Sequence, residues 1–243
     1  MTELILSDIT RMAGGHCIIG LEKHGQRFRS VRPMPARFPD AFAWPADFPH
    51  YRGDRLQFEL SPVEVFRPHL EDRKSTGVRG ENGKLKEEEL AECLRRAEVA
   101  EKVPDLFGCS VQPGKTGASV HAPKAARSIC GAEARKVRLK WEANALRSYV
   151  ALASGDVLAD LPVVDRSWHR FVEAVIEKMS GANRGQRLNR WLGALALDSH
   201  ACFVRLGLTR PHPARFGRCQ VMLDTLLPMP RQSWLNDALA KLE

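Results

Sequence analysis

No CxxC pair occurs in the 243-residue chain, and no histidines gather at metal-ligand spacing. The six cysteines, Cys17, Cys93, Cys109, Cys130, Cys202 and Cys219, are scattered, which speaks against a zinc site. Neither a metal nor another cofactor is expected. No apolar run approaches the ~20 residues a helix needs to cross a bilayer, and no cationic segment followed by an apolar core opens the chain. The expectation is a cytoplasmic protein with reduced thiols and no membrane partner. A Walker-A loop is missing as well: Lys115 and Thr116 follow Gly114, but five residues separate Gly108 from Gly114 where the pattern requires four.

Acids are also in deficit, with 29 Asp and Glu against 37 Lys and Arg and a net charge of +8. That sign favours a polyanionic partner such as nucleic acid. A metal-dependent nuclease would need several carboxylates converging on its ion. The sequence offers only His69, Glu71 and Asp72 in "PHLEDR", and Asp165 with His169 one helical turn on. Helix capping already explains Asp165, and Glu71 or Asp72 is better read as holding an arginine from the N-terminal region. The chain is therefore expected not to be an enzyme.

What is present reads as mainly β structure of an α+β kind. "ELILSDITRMAGGHCIIGLEKHGQRFRSVRP" alternates short apolar runs with turn residues, and "RLQFELSPVEVFRPHLEDR" places Leu56, Phe58 and Leu60 on one face. Between them lie five prolines among the 22 residues Pro33 to Asp54, which implies an ordered crossing loop packed by its aromatics. Residues 81–105 carry eight acids, with Leu90, Leu94 and Ala97 at helical spacing, and predict a surface helix. The stretch from Gly108 to Gly131 reads as loop.

Seven basic residues then run from Lys124 to Arg147 against Glu133 and Glu142. "KVRLKWEANALRSYVALASGDVLADLPVVDRSWHRFVEAVIEKM" passes from strand to helix. Asp165 caps that helix, and Trp168, Phe171, Val172, Val175, Ile176 and Met179 form its apolar stripe. Trp168 is accordingly core rather than a base-stacking platform. A second helix is predicted in "QRLNRWLGALAL", followed by two strands joined by a Pro-rich loop. Arg184 to Arg218 contains seven arginines and one acid, Asp198.

The segments "ILSDITRMAGGHCIIGLEKHGQRFRSVRPMP", "FRPHLEDR", "LFGC…RSICG", "LPVVDRSWHRF" and "CFVRLGLTRPHPARFGRCQVML", in that order, resemble the bacterial dual-OB domain proteins. The resemblance implies two OB-like small β-barrels with helical insertions: a first region over 1–73, an inserted helix and loop segment over 74–131, and a second region with helices over 132–243. It also implies a non-catalytic nucleic-acid-binding or sensing role, in bacterial defence or mobile-element settings. An adaptor subunit that binds partner proteins of an operon-encoded complex is the alternative.

"CIIGLEKHGQRFRSVRPMP", Cys17 to Pro35, supplies the first candidate site. As a strand it puts Arg27, Arg29 and Val31 on one face and Phe28, Ser30 and Arg32 on the other. "FVRLGLTRP" repeats the style with Arg205 and Arg210. An OB sheet face holds single-stranded DNA or RNA with cations and stacked aromatics. The candidate nucleic-acid-binding residues are Arg27, Phe28, Arg29, Arg32, Arg205, Arg210 and Arg215. Two readings stand for these arginines: contact with a phosphodiester chain, or pairing with Glu22, Glu59, Glu71 or Asp72. For Arg32 and Arg210, each close to a proline at a loop entrance, the pairing role is favoured.

Overall fold

The computed structural model describes residues 1–12, 14–35, 43–64, 67–179, 181, 183–195, 197, 201–211 and 217–229. Five strands, β1 (Thr2–Met12), β2 (Gly15–His24), β3 (Arg27–Pro35), β4 (Asp54–Ser61) and β5 (Asp72–Lys84), close into a barrel in the order β1-β2-β3-β5-β4. Antiparallel pairing of Thr2 with Phe58 joins β1 to β4, and parallel pairing of Arg32 with Asp72 joins β3 to β5. Strand alternation sends Leu4, Leu6, Ile18, Val31, Leu56 and Phe58 inward. Trp44 and Phe48 of the proline-rich crossing plug the interior, with ring centroids 5.4 Å apart, and Trp44 Nε1 donates to the Pro33 carbonyl at 2.8 Å. The crossing therefore packs by its aromatics as predicted; its residues 36–42 lie outside the described ones.

After α1 (Glu87–Arg95) come two short strands, β6 (Gln112–Pro113) and β7 (Ala118–His121), then β8 (Ile129–Glu142), β9 (Ala145–Leu152) and β10 (Val157–Pro162). Two helices, α2 (Arg166–Lys178) and α3 (Arg184–Ala194), lead to β11 (Ala201–Leu208) and β12 (Arg218–Met229). These seven strands form one sheet in the order β10-β9-β8-β11-β12-β7-β6, curled into a nearly closed barrel. A parallel bridge between Val163 and Leu223 draws the β10 end towards β12. The chain is thus mainly β and consistent with two OB-like barrels.

The boundaries differ from those expected. β5 pairs with both β3 and β4, so the first barrel runs to Lys84 rather than 73. β7 pairs with β12, Arg218 opposite His121, so the second sheet recruits strands from what the sequence presented as loop. Gly and Pro around these short strands mask their signal. The predicted 81–105 helix shrinks to Glu87–Arg95 because Glu81 and Lys84 complete β5.

Asp165 caps α2 as predicted, accepting from the Ser167 amide at 2.9 Å, and Trp168 is buried with its Nε1 donating to the Leu226 carbonyl at 3.1 Å. Asn189 of α3 clamps Trp141 of β8: its Oδ1 accepts from the Trp141 amide at 2.6 Å and its Nδ2 donates to the Trp141 carbonyl at 2.8 Å. Among the described residues, no helix is long and apolar enough to cross a membrane.

Candidate functional site

Each barrel contains a three-strand meander, β1–β2–β3 in the first and β8–β9–β10 in the second, and the outward faces of the two meanders have different fates. On the first barrel, Ile5, Leu21 and Phe28 point away from the interior and pack on Phe203 and Leu227 of the second sheet and on Leu90 and Leu94 of α1. This face is covered.

Polar groups fill the rest of the covered face. Arg205 is wholly buried, and its Nε donates to both Asp8 oxygens at 3.1 and 2.9 Å while Nη2 donates to Ser30 Oγ at 2.9 Å. Arg32, also buried, pairs with Asp72 at 3.2 Å, and donates from Nη1 to His69 Nδ1 at 3.0 Å and from Nη2 to Ser128 Oγ at 3.1 Å. Ser128 in turn donates its amide and hydroxyl to Glu71 at 2.8 and 2.9 Å. Arg210 reaches the second Asp72 oxygen at 2.5 Å. Accepting from Arg32 leaves the His69 ring proton on Nε2. Burial first, then the nearby Arg32 and Arg210 charges, push its pKa down to about 2, so the ring is neutral.

This arrangement corrects the sequence-derived site. Arg205 and Arg32 cannot meet a phosphodiester chain, because both are buried and neutralised by acids of the same molecule. Arg210 is partly exposed but committed to Asp72. Phe28 is buried beneath the Arg96 guanidinium, which lies 5.7 Å from its ring centroid. Arg29 is exposed and pairs with Glu22 at 2.7 Å, while Arg27 is exposed beside it on the same strand face. Arg215 lies outside the described residues. The candidates are therefore dispersed between a buried seam and one strand end. The "PHLEDR" residues hold arginine and backbone, the orienting role the sequence favoured for Glu71 and Asp72.

On the second barrel the corresponding face exposes Arg138 and Lys140 among the described residues. The β8–β9 register sets Arg138 opposite Tyr149 and Lys140 opposite Arg147. Directly opposed residues of an antiparallel pair share a face. Val137, Leu139, Ser148 and Val150 alternate with them and are buried, which places the two cross-strand pairs outward. Two cations held opposite one another repel. Glu142 at 3.0 Å from Lys140 and Asp160 at 3.8 Å from Arg147 offset part of that repulsion. Lys115, from the β6–β7 connection, adds a further cation to the same cleft. The cleft measures about 1240 Å³ and is walled by Leu192 and Leu197 at the end of α3. That exceeds the ~300–1,000 Å³ usual for small-molecule pockets and suits an extended ligand.

Backbone strain gathers at the rim. Asp160 has φ +53°, in the left-handed region, and Ala143 and Asn144 of the β8–β9 turn have φ +48° and +60°. A two-residue turn with both φ positive is the type I′ form that matches strand twist, but alanine is a costly occupant of it. Such strain marks functional sites when the surroundings hold it in place. At Asp160 alone Arg147 does so, donating to its carbonyl at 3.4 Å.

No protein-family model matches the chain, and no curated protein matches it. A search of solved structures returns "Structure of murine DNA binding protein bound with ds DNA", which shares 9% identity over 93% of this chain and 95% of that one, with a TM-score of 0.30. A likeness of that size bears on neither fold nor function.

Proposed function

We propose that this chain binds single-stranded nucleic acid, without catalysis, along the outward face of β8, β9 and β10. The observation that carries the reading is the cross-strand array of Arg138, Lys140, Arg147 and Tyr149 on the outward face of the β8–β9 hairpin, where Arg138 and Lys140 are exposed. Phosphates draw their binding energy from such cations, and the half-buried Tyr149 offers an aromatic ring on which a base stacks whatever its sequence. Among the described residues one sheet face is closed by its neighbour and the other is exposed at Arg138 and Lys140, so the ligand belongs on the second barrel. The family likeness seen in the sequence, to dual-OB proteins of bacterial defence systems, supports the same class of role.

Binding of a fluorescent mixed-sequence single-stranded oligonucleotide, titrated with salt, tests this. The wild-type protein binds at low salt with an affinity that falls as salt rises, and K140E/R147E weakens binding strongly. Undetectable binding at low salt, affinity indifferent to salt, or an unaltered K140E/R147E protein overturns the proposal.

A further inference from the structure

Asp224 of β12 sits in the seam between the barrels, 4% exposed. Its carboxyl occupies the space that a side chain at Gly207 on β11 would take: a Cβ built there would lie 2.0 Å from Asp224 Oδ2. The absence of a side chain at Gly207 is what admits the carboxyl. Yet Asp224 makes no ion pair among the described residues, and its Oδ1 is buried without a hydrogen-bond partner. Every other deeply buried acid of the seam is engaged: Asp8 by Arg205, Asp72 by Arg32 and Arg210, Glu71 by Ser128, and Asp165 by Arg52 at 3.1 Å and the Leu226 amide.

The groups around Asp224 come from six elements. They are Asp8 on β1, Cys17 on β2, Arg32 on β3, Arg205 on β11, and Asp165 at the start of α2, with Asp72 on β5 reaching the same network through Arg32 and Cys17. The two arginines are already committed to Asp8 and Asp72. An ionised Asp224 would add a further negative charge beside Asp8 in a buried place, whereas a protonated one adds none.

We propose that Asp224 is a proton-dependent catch between the two barrels: carried as the neutral acid it lets the seam close, and its ionisation loosens the contact between β1 and the β11–β12 pair. Burial, and then the neighbouring Asp8, push its pKa up to about 8, which sets the range in which the catch acts. The sign follows from proton uptake. With a folded pKa above the unfolded one, the native state holds the extra proton, so stability falls as pH rises from the ordinary carboxylate range towards 8 and levels off above it.

Urea unfolding of the full chain between pH 6.5 and 9.5, for wild type and Asp224→Asn, reads this directly. The wild-type folding equilibrium constant drops about tenfold per pH unit up to about pH 8, relative to the variant, in which that slope is lost. Equal slopes in the two proteins overturn the proposal. Should Asp224→Asn not fold, the carboxyl carbon resonance of Asp224 in the wild-type protein serves instead. A titration midpoint near 8, accompanied by amide shift changes on β1, β3, β11 and β12, supports the catch; a carboxylate already ionised at pH 6.5 overturns it.

Discussion

Arg205 and Asp8, 197 residues apart in sequence, meet as a fully buried ion pair with N to O distances of 2.9 and 3.1 Å, and so fasten the last third of the chain to its first strand. Removing one partner leaves the other charge buried alone. R205M is therefore expected to destabilise the protein by about 3–5 kcal/mol in urea unfolding. R27Q/R29Q, on an exposed strand end, should change stability by no more than about 1 kcal/mol, the worth of the exposed Arg29–Glu22 pair.

Each cation of the outward face that meets a phosphate releases counterions when it binds. Neutralising Arg138, Lys140 or Arg147 singly to Gln should lower the slope of log affinity against log salt by about 0.7 each for a single-stranded ligand. A salt-titrated anisotropy series measures this.

Tyr149 should act differently. Tyr149→Ala is expected to weaken binding by about 1–3 kcal/mol while leaving the salt slope unchanged, because stacking releases no counterions. Isothermal titration at two salt concentrations separates the two effects.

His69, neutral in the seam with its pKa lowered to about 2, makes stability depend on pH from the acid side. The unfolded chain takes up a proton near the ordinary histidine value and the folded chain does not. The stabilisation is complete above about pH 6.5 and is lost progressively as pH falls towards 2. His69→Gln, which keeps a side-chain acceptor for Arg32, should flatten the fall between pH 6.5 and 5 in thermal melts.

Much of the fold was legible in the sequence because it is written in local patterns. The Asp165 cap, the Trp168 stripe, the strand alternation around Leu56 and Phe58, and the aromatic crossing at Trp44 and Phe48 all follow from spacing alone. The short strand β7 was hidden because it is fixed by pairing with distant β12, and the two-residue β6 because it pairs only with β7. The site was half legible. "RFRSVRP" showed its alternation correctly, but no local pattern says which face another barrel will cover, and Phe28, Ser30 and Arg32 proved to be on the covered one. The signal for the outward face of the β8–β9 hairpin was also in view: Arg138 and Lys140 two apart, Arg147 and Tyr149 two apart, and a two-residue turn at Ala143 and Asn144 between them. Folding that hairpin on paper places the four side chains together.

The location of the ligand is tested most directly by ultraviolet crosslinking of a single-stranded oligonucleotide to the full-length protein at low salt, followed by mass-spectrometric mapping of the modified residues. Adducts at Tyr149, within the β8–β9 hairpin, are the predicted result. Adducts confined to the first barrel, or none at concentrations where binding is saturated, would contradict it.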